Sequence, residues 1–330
     1  MIGTVLLAAL ALVAVAVGTT RAEGSYAPTI GGYLYTEFKA SGDDFADRTF
    51  DIHYLAVYFV GQVHPKIFYY GEFELEHGGK GDNVFVEQAY LDFHVHRFAA
   101  IKIGAILTPF NRFDDFHEPL SNHLVTRPDV AREIGVSAWK DVGVDVYGLT
   151  AVTPALSLGY DLYLINGLGN SAPGNIRGSR QYRDNNASKT IGGRLEAVLM
   201  NRISLGASVS TGKWDEDDNY NLTMFGAHLR AVLGAAEFYG EFDSFVQEPD
   251  TTATEDIKGS GFFAQLSYAV TPQLRPTVRF GQLSDWKDRD QLALGLTYYP
   301  ASSVAIKGEY DLRSGDKKND EIWLQTAVKW

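Results

Sequence analysis

The chain has 330 residues, a formal net charge of −12 and no cysteine. Its acidity excludes nucleic acid as a partner, because phosphates would be repelled. The missing cysteine excludes a disulfide scaffold, a thiolate metal site and covalently attached haem.

Residues 1–22 read as a secretory signal. The apolar run 5–17 is too short for a comfortable spanning helix, and Thr20-Arg21-Ala22 offers a small-x-small cleavage site. The part 23–330 is then the exported domain. It contains no stretch of about 18 apolar residues, so no transmembrane helix is expected in it. Instead 33 Gly, 18 Tyr and 19 Phe are dispersed through polar sequence, which favours an all-β chain.

Period-two alternation runs along that domain. In KIFYYGEFELEHG, Tyr69, Phe73 and Leu75 alternate with Tyr70, Glu72, Glu74 and Glu76. In RDQLALGLTYYP, Leu292, Leu294, Leu296 and Tyr298 alternate with Gln291, Ala293, Gly295 and Thr297. A helix would put several of the polar residues on its apolar stripe, so these are strands. Sixteen segments follow in order: 29–39, 49–63, 66–76, 83–97, 100–108, 138–152, 155–166, 187–200, 202–212, 220–233, 235–247, 257–270, 273–284, 289–299, 302–313 and 320–330.

The links between them alternate. Tight ones at 64–65, 98–99, 153–154, 200–201, 234, 271–272 and 300–301 are interleaved with longer polar ones. One end of the sheet therefore carries turns and the other carries loops, as in a transmembrane up-and-down antiparallel barrel with periplasmic turns and extracellular loops. The Greek-key links of a soluble sandwich would break the alternation. Most segments also exceed the five or six residues of an average soluble strand and match the roughly 9–11 needed to cross a bilayer on a slant. Tyr54, Tyr58, Phe93, Tyr160, Tyr268, Tyr298, Tyr310 and Trp330 are placed as interfacial girdle aromatics.

Sixteen strands leave an aqueous lumen. Alternation assigns the acids Glu37, Asp51, Glu72, Glu74, Glu76, Asp92, Asp141, Asp145, Asp161, Glu196, Glu237, Glu241, Asp243, Glu309 and Asp311 to the inner face. It assigns the bases Lys39, Lys102, Arg194, Arg230, Arg275, Arg279, Lys307, Arg313 and Lys329 to the same face. Glu87 breaks the pattern, falling with Phe85 and Ala89, and is placed above the bilayer near the outer end of the fourth strand.

The third long link is the longest, and a link of this length is usually functional. Its Phe110, Phe113 and Phe116 need burial, which folding inward against the wall would supply. It is read as a constriction loop in the lumen, with Asp114, Asp115, His117, Glu118, Arg127, Asp129, Arg132 and Glu133 as candidate lining. An ordered extracellular cap is the alternative.

The segments VEQAYLDFHVHRFAAIKIGAILTPFNRFDDFHEP and TRPDVAREIGVSAWKDVGVDVYG resemble the phosphate-selective porin O and P family in their "AY" strand, their "G…PF" strand end and the loop that follows. The likeness covers about residues 29–150. It implies a sixteen-stranded barrel, usually trimeric, with the third loop in the lumen. It does not carry over phosphate selectivity, which depends on a strongly basic ladder; Arg194, Arg230, Arg275, Arg279 and Arg313 would make only a partial one.

The chain ends in EIWLQTAVKW, with Ile322, Leu324, Thr326, Val328 and Trp330 on one face. In a closed barrel the last strand pairs with the first, so alternation runs to the final residue. Trp330 is placed at the lipid interface. It also resembles the C-terminal signal read by the outer-membrane insertion machinery.

These features predict a passive outer-membrane porin for small hydrophilic solutes. Its surroundings would be outer-membrane lipid and lipopolysaccharide, its assembly a homotrimer, and its preference weakly cationic from 15 inward acids against 9 inward bases. The alternatives are an anion- or phosphate-selective porin, or a barrel sheathing a partner such as a multihaem cytochrome. No G-x-S-x-G or H-E-x-x-H motif points to an enzyme. His94 and His96 share a strand face without a clear third ligand and read as lumen lining rather than a metal site. No cofactor is expected.

Overall fold

The computed structural model describes residues 27–330 except 43–44, 80–83, 171–172, 251–254 and 317–318. The signal segment 1–22 lies outside the described residues. Sixteen strands form the wall: β1 (Thr29–Ser41), β2 (Asp47–His64), β3 (Ile67–Glu76), β4 (Val84–His96), β5 (Ala99–Leu107), β6 (Lys140–Thr153), β7 (Leu156–Ile165) and β8 (Thr190–Leu199). They continue as β9 (Ile203–Lys213), β10 (Asn221–Leu233), β11 (Ala236–Gln247), β12 (Ile257–Tyr268), β13 (Leu274–Ser284), β14 (Arg289–Ala301), β15 (Val304–Gly315) and β16 (Asn319–Lys329). Each pairs antiparallel with its chain neighbours, and β1 pairs with β16, so the sheet is a closed sixteen-stranded barrel.

Closure extends to the last residue. The Trp330 amide donates to the Gly32 carbonyl at 3.0 Å and the Gly32 amide donates back at 3.2 Å. A side chain at Gly32 would strike the Trp330 ring, so glycine there is what lets the indole lie across the seam.

The wall is greasy outside and polar inside. Along β14, Leu292, Leu294 and Leu296 are exposed, while Gln291, Ala293 and Thr297 are fully covered. Leu195, Leu205, Leu266, Ile306 and Leu324 repeat the pattern, against buried Arg194, Gln265, Lys307 and Gln325. With every ladder closed and an apolar exterior, the wall satisfies what hydrocarbon demands of a spanning structure. Link lengths alternate as the sequence reading has it, with 65–66, 97–98 and 154–155 at one end and 108–139 and 166–189 at the other.

Two bulges correct the strict alternation. Register shifts between Tyr35↔Tyr54 and Thr36↔Ile52, which leaves His53 as the extra residue on β2. Beyond it Tyr54 and Tyr58 turn inward, so they are not girdle aromatics: Tyr54 packs on Tyr35 and Tyr58 lies under Lys329. The second shift, between Glu72↔Gln88 and Phe73↔Val86, makes Glu87 the extra residue on β4. The bulge aims Glu87 into the barrel, where it is buried in an ion pair with Lys140, and so accounts for its break in the alternation.

Candidate functional site

The segment 108–139 between β5 and β6 carries its own small core. Phe110, Phe113, Val130, Ile134 and Trp139 pack with Tyr239, Phe245, Phe263 and Leu283, which project from β11, β12 and β13. Phe113 meets Phe263 edge-on at 6.2 Å, and Phe116 meets Tyr239 at 6.0 Å with Arg230 over its face at 4.6 Å. A short helix, α1 (Asp129–Glu133), sits in this segment and buries Val130 and Ala131. Gly295 supplies the room that Leu124 fills against β14.

Polar anchors from successive strands complete the attachment. The Arg112 amide donates to Glu241 at 2.8 Å, and Arg194 donates to the Asn111 carbonyl at 2.9 Å. Lys307 donates to the carbonyls of Asn122 and Leu124, and the Thr297 hydroxyl donates to that of His123. Arg279 donates to the Thr126 carbonyl at 2.9 Å, and Glu309 accepts the Thr126 amide and hydroxyl at 3.0 and 2.5 Å. Asp129 takes Arg313 at 3.3 Å and Arg289 at 3.5 Å. The wall from β8 to β15 thus holds the segment through side chains on the face opposite the apolar exterior.

The eight loop residues singled out from the sequence divide into groups. Asp114 is buried and accepts the Trp139 amide at 3.2 Å, so it braces the segment itself. Asp129 is buried as a wall anchor. Asp115 pairs with Arg112 and Arg194, and Glu118 pairs with Lys329 at 2.6 Å. Glu133 pairs with Lys287 and Arg132, both at 2.8 Å. Burial alone would raise the Glu133 pKa, but Lys287 and Arg132 prevail and hold it down to about 2. His117, Arg127 and Arg132 line open space, a cavity of about 200 Å³ bounded also by Tyr35, Tyr54, Glu37, Lys39, Glu321 and Trp323 of β1, β2 and β16.

The wall residues are engaged too. Glu72 accepts Tyr70 at 2.8 Å, and Glu74 accepts Tyr33 at 2.5 Å and Lys140 at 3.1 Å. Glu76 borders a side cavity with Lys140 and Arg180. Asp92 accepts Tyr147 at 2.7 Å, and Asp145 faces Lys102 at 4.0 Å. Glu237 gathers His123, Arg230 and Arg275, while Asp243 lies wholly buried beneath the loop. Of the basic residues, Arg194, Arg279, Lys307 and Arg313 are spent on the loop and on neighbouring carboxylates, so they form no open ladder. His94 leans on Asp92 and His96 on Phe98.

Sequence reasoning missed Arg177, from the link between β7 and β8, which joins the cavity lining. Its pKa is lowered to about 10, first by burial and then by Arg132, Arg180 and Arg127 around it. Nothing in a period-two pattern reports on a residue in an irregular link. It also missed the inner-wall apolar residues Met224, Phe245, Phe263 and Leu283. Their signal was present, as greasy residues on an otherwise polar face.

Fold and inner loop together define a membrane-spanning barrel of the bacterial outer-membrane kind. Its solved likenesses are porins and related outer-membrane proteins. The anion-selective porin of Comamonas acidovorans superposes with a TM-score of 0.69 at 11% identity, covering 92% of this chain and 99% of that one. OmpF of Salmonella typhi gives 0.67 at 11% over 92% and 97%, and the channel DcaP of Acinetobacter baumannii gives 0.63 at 14% over 94% and 99%. In sequence, an uncharacterized protein of Aquifex aeolicus is 23% identical over 92% of this chain and 79% of its own length. No family model matches the chain.

Proposed function

We propose that the protein is a passive outer-membrane channel for small hydrophilic solutes and ions. The observation that carries this reading is the way segment 108–139 is fastened to the wall from β8 to β15 while water-accessible space remains along β16, β1 and β2. A wide polar lumen lowers the cost of moving polar solutes through hydrocarbon, and the fastened loop sets the width. The resemblance over 29–150 supports the same reading. A sheath for a partner protein is disfavoured, since a plug would have to displace a loop held by this many buried bonds. Assembly as a homotrimer and a role for Trp330 in insertion belong to the proposal; one outer-membrane protein of Vibrio cholerae with this fold has been solved in a trimer form.

Ion preference turns on which charges meet water. A count of inward residues weighs every acid equally, yet Glu74, Glu241, Asp243, Asp145, Glu309 and Asp311 are buried. Around the cavity, Lys307, Arg313, Glu37 and Glu321 are buried as well, which leaves the partly exposed Lys39, Arg127, Arg132 and Arg177 to face the water. That local excess of positive charge favours anions at the narrow part, in place of the weak cation preference expected from the whole-lumen count. Phosphate selectivity is not part of the proposal.

The test is planar-bilayer recording of the refolded protein with reversal potentials under a KCl gradient. Stepwise, anion-preferring conductance supports the reading. Cation preference would return the assignment to the whole-lumen count, and no conductance from an inserted barrel would remove the channel itself.

A further inference from the structure

The arc of wall from β2 to β6 carries a row of half-buried tyrosines that ion conduction alone does not use. Tyr58 of β2 and Tyr70 of β3 stack with centroids 6.1 Å apart and planes 17° apart; Tyr70 and Tyr90 of β4 continue at 5.5 Å and 22°. Tyr70 and Tyr90 are direct cross-strand partners, and Tyr58 pairs with Glu72, two positions from Tyr70. Lys102 bridges onward, 5.5 Å over the Tyr90 ring and 4.5 Å over that of Tyr147 on β6. The result is one aromatic surface running across the inner wall.

Each end of it is edged by groups that exchange hydrogen bonds. Tyr70 donates to Glu72 at 2.8 Å and Tyr147 donates to Asp92 at 2.7 Å. The second Asp92 oxygen, Oδ1, is buried and without a hydrogen-bond partner among the described residues. Lys102 and Lys329 supply donors, each close to an acid, Asp145 at 4.0 Å and Glu118 at 2.6 Å.

We propose that this row is a binding track for uncharged, ring-shaped polyhydroxylated solutes, that is, saccharides. Pyranose rings present apolar C–H faces that pack on aromatic surfaces, and hydroxyls that both donate and accept. The row offers both kinds of contact. An organic cation is disfavoured because Lys102 and Lys329 already stand over Tyr90, Tyr147 and Tyr58. A free anion is disfavoured because Glu72, Asp92, Asp145 and Glu118 sit among the rings. A neutral solute can use both signs of charge as hydrogen-bond partners.

The inference rests on the channel reading, and one experiment separates the two. The full chain in planar bilayers, in KCl, is titrated with sucrose and maltose, and with a linear alditol as a control lacking the ring. Concentration-dependent interruption of the current by the disaccharides, weaker by about tenfold in Tyr70→Leu and in Tyr147→Leu but little changed in Tyr70→Phe, is expected for ring packing. Equal blockade by the alditol, or blockade unaltered by both leucine variants, would overturn the track and leave the channel standing. If the wild type conducts no ions, the channel reading falls. The track is then decided by calorimetric titration of the detergent-solubilised barrel with the same sugars, where saturable heat lost in Tyr147→Leu supports it and no heat overturns it.

Discussion

The carboxylate of Glu309 on β15 accepts both the amide and the hydroxyl of Thr126, at 3.0 and 2.5 Å, and fixes the middle of the inner loop to the wall. Arg279 completes the site by donating to the Thr126 hydroxyl at 2.6 Å and lying 3.8 Å from Glu309. The Arg279 and Glu309 side chains are fully buried, so neither charge is solvated in place of this contact.

Glu309→Ala is expected to weaken docking of the loop. Leaving a buried donor without its partner costs about 1–3 kcal/mol, and here Arg279 is stranded as well. Single-channel recordings should show more frequent current fluctuation and a higher mean conductance than wild type. An unchanged trace would mean that Lys307, Arg313 and the aromatic contacts hold the loop without Glu309.

The aperture charges make a second prediction. Arg127 and Arg177 both line the cavity. Arg127→Glu and Arg177→Glu should each move the reversal potential toward cations, and the double variant further than either. Glu241→Gln, by contrast, changes a carboxylate buried beneath the loop and should move it little. A shift from Glu241→Gln as large as from Arg127→Glu would show that the lumen's summed charge sets selectivity.

Much of this architecture was legible in the sequence. Strand number and the alternation of short and long links followed from period-two patterning sustained through the segment 320–330, because the membrane punishes any break in that pattern. The packing of segment 108–139 was legible through Phe110 and Phe113, which a loop in water could not bury. What stayed hidden depended on single-residue register. The bulges at His53 and Glu87 each reverse the facing of the residues beyond them; the one at His53 turned Tyr54 and Tyr58 from the expected lipid interface to the inner face, and the one at Glu87 turned that residue inward. Nor could the sequence tell open lining from anchors. Asp129 and Arg132 are near neighbours in one loop, yet one is buried between arginines and the other borders the cavity.

The seam between first and last strands gives a third prediction. Gly32→Val would drive a side chain into the Trp330 ring and the Ala56 carbonyl, each 2.5 Å from where a Cβ would stand. Barrel closure should suffer, read as a lower temperature for the shift from folded to unfolded mobility on heat-modifiability gels. Trp330→Ala should rescue part of the Gly32→Val loss by removing the clash, although alone it lowers stability by exposing the seam. No rescue would place the damage at Ala56 instead.

Acid should loosen the inner loop in two stages. His123 on that loop contacts Tyr299 at 3.1 Å and Glu237 at 3.2 Å. Its pKa is lowered by burial, which prevails over the opposing pull of Glu237, with Arg275 and Lys307 adding to the fall. The docked loop therefore favours neutral His123. An undocked loop would give the residue an ordinary pKa near 6.5, so docking loses free energy as pH falls below that value. Glu133 acts lower down. Its pKa of about 2 in the docked state means that its ion pairs with Lys287 and Arg132 contribute fully above about 4.5 and are lost between there and 2. Current fluctuation should accordingly rise first below about pH 6.5 and again below about 4.5. His123→Asn should remove the first rise and keep the second, and Glu133→Gln should do the reverse. A first stage that survives in His123→Asn would assign that titration to another group on the wall.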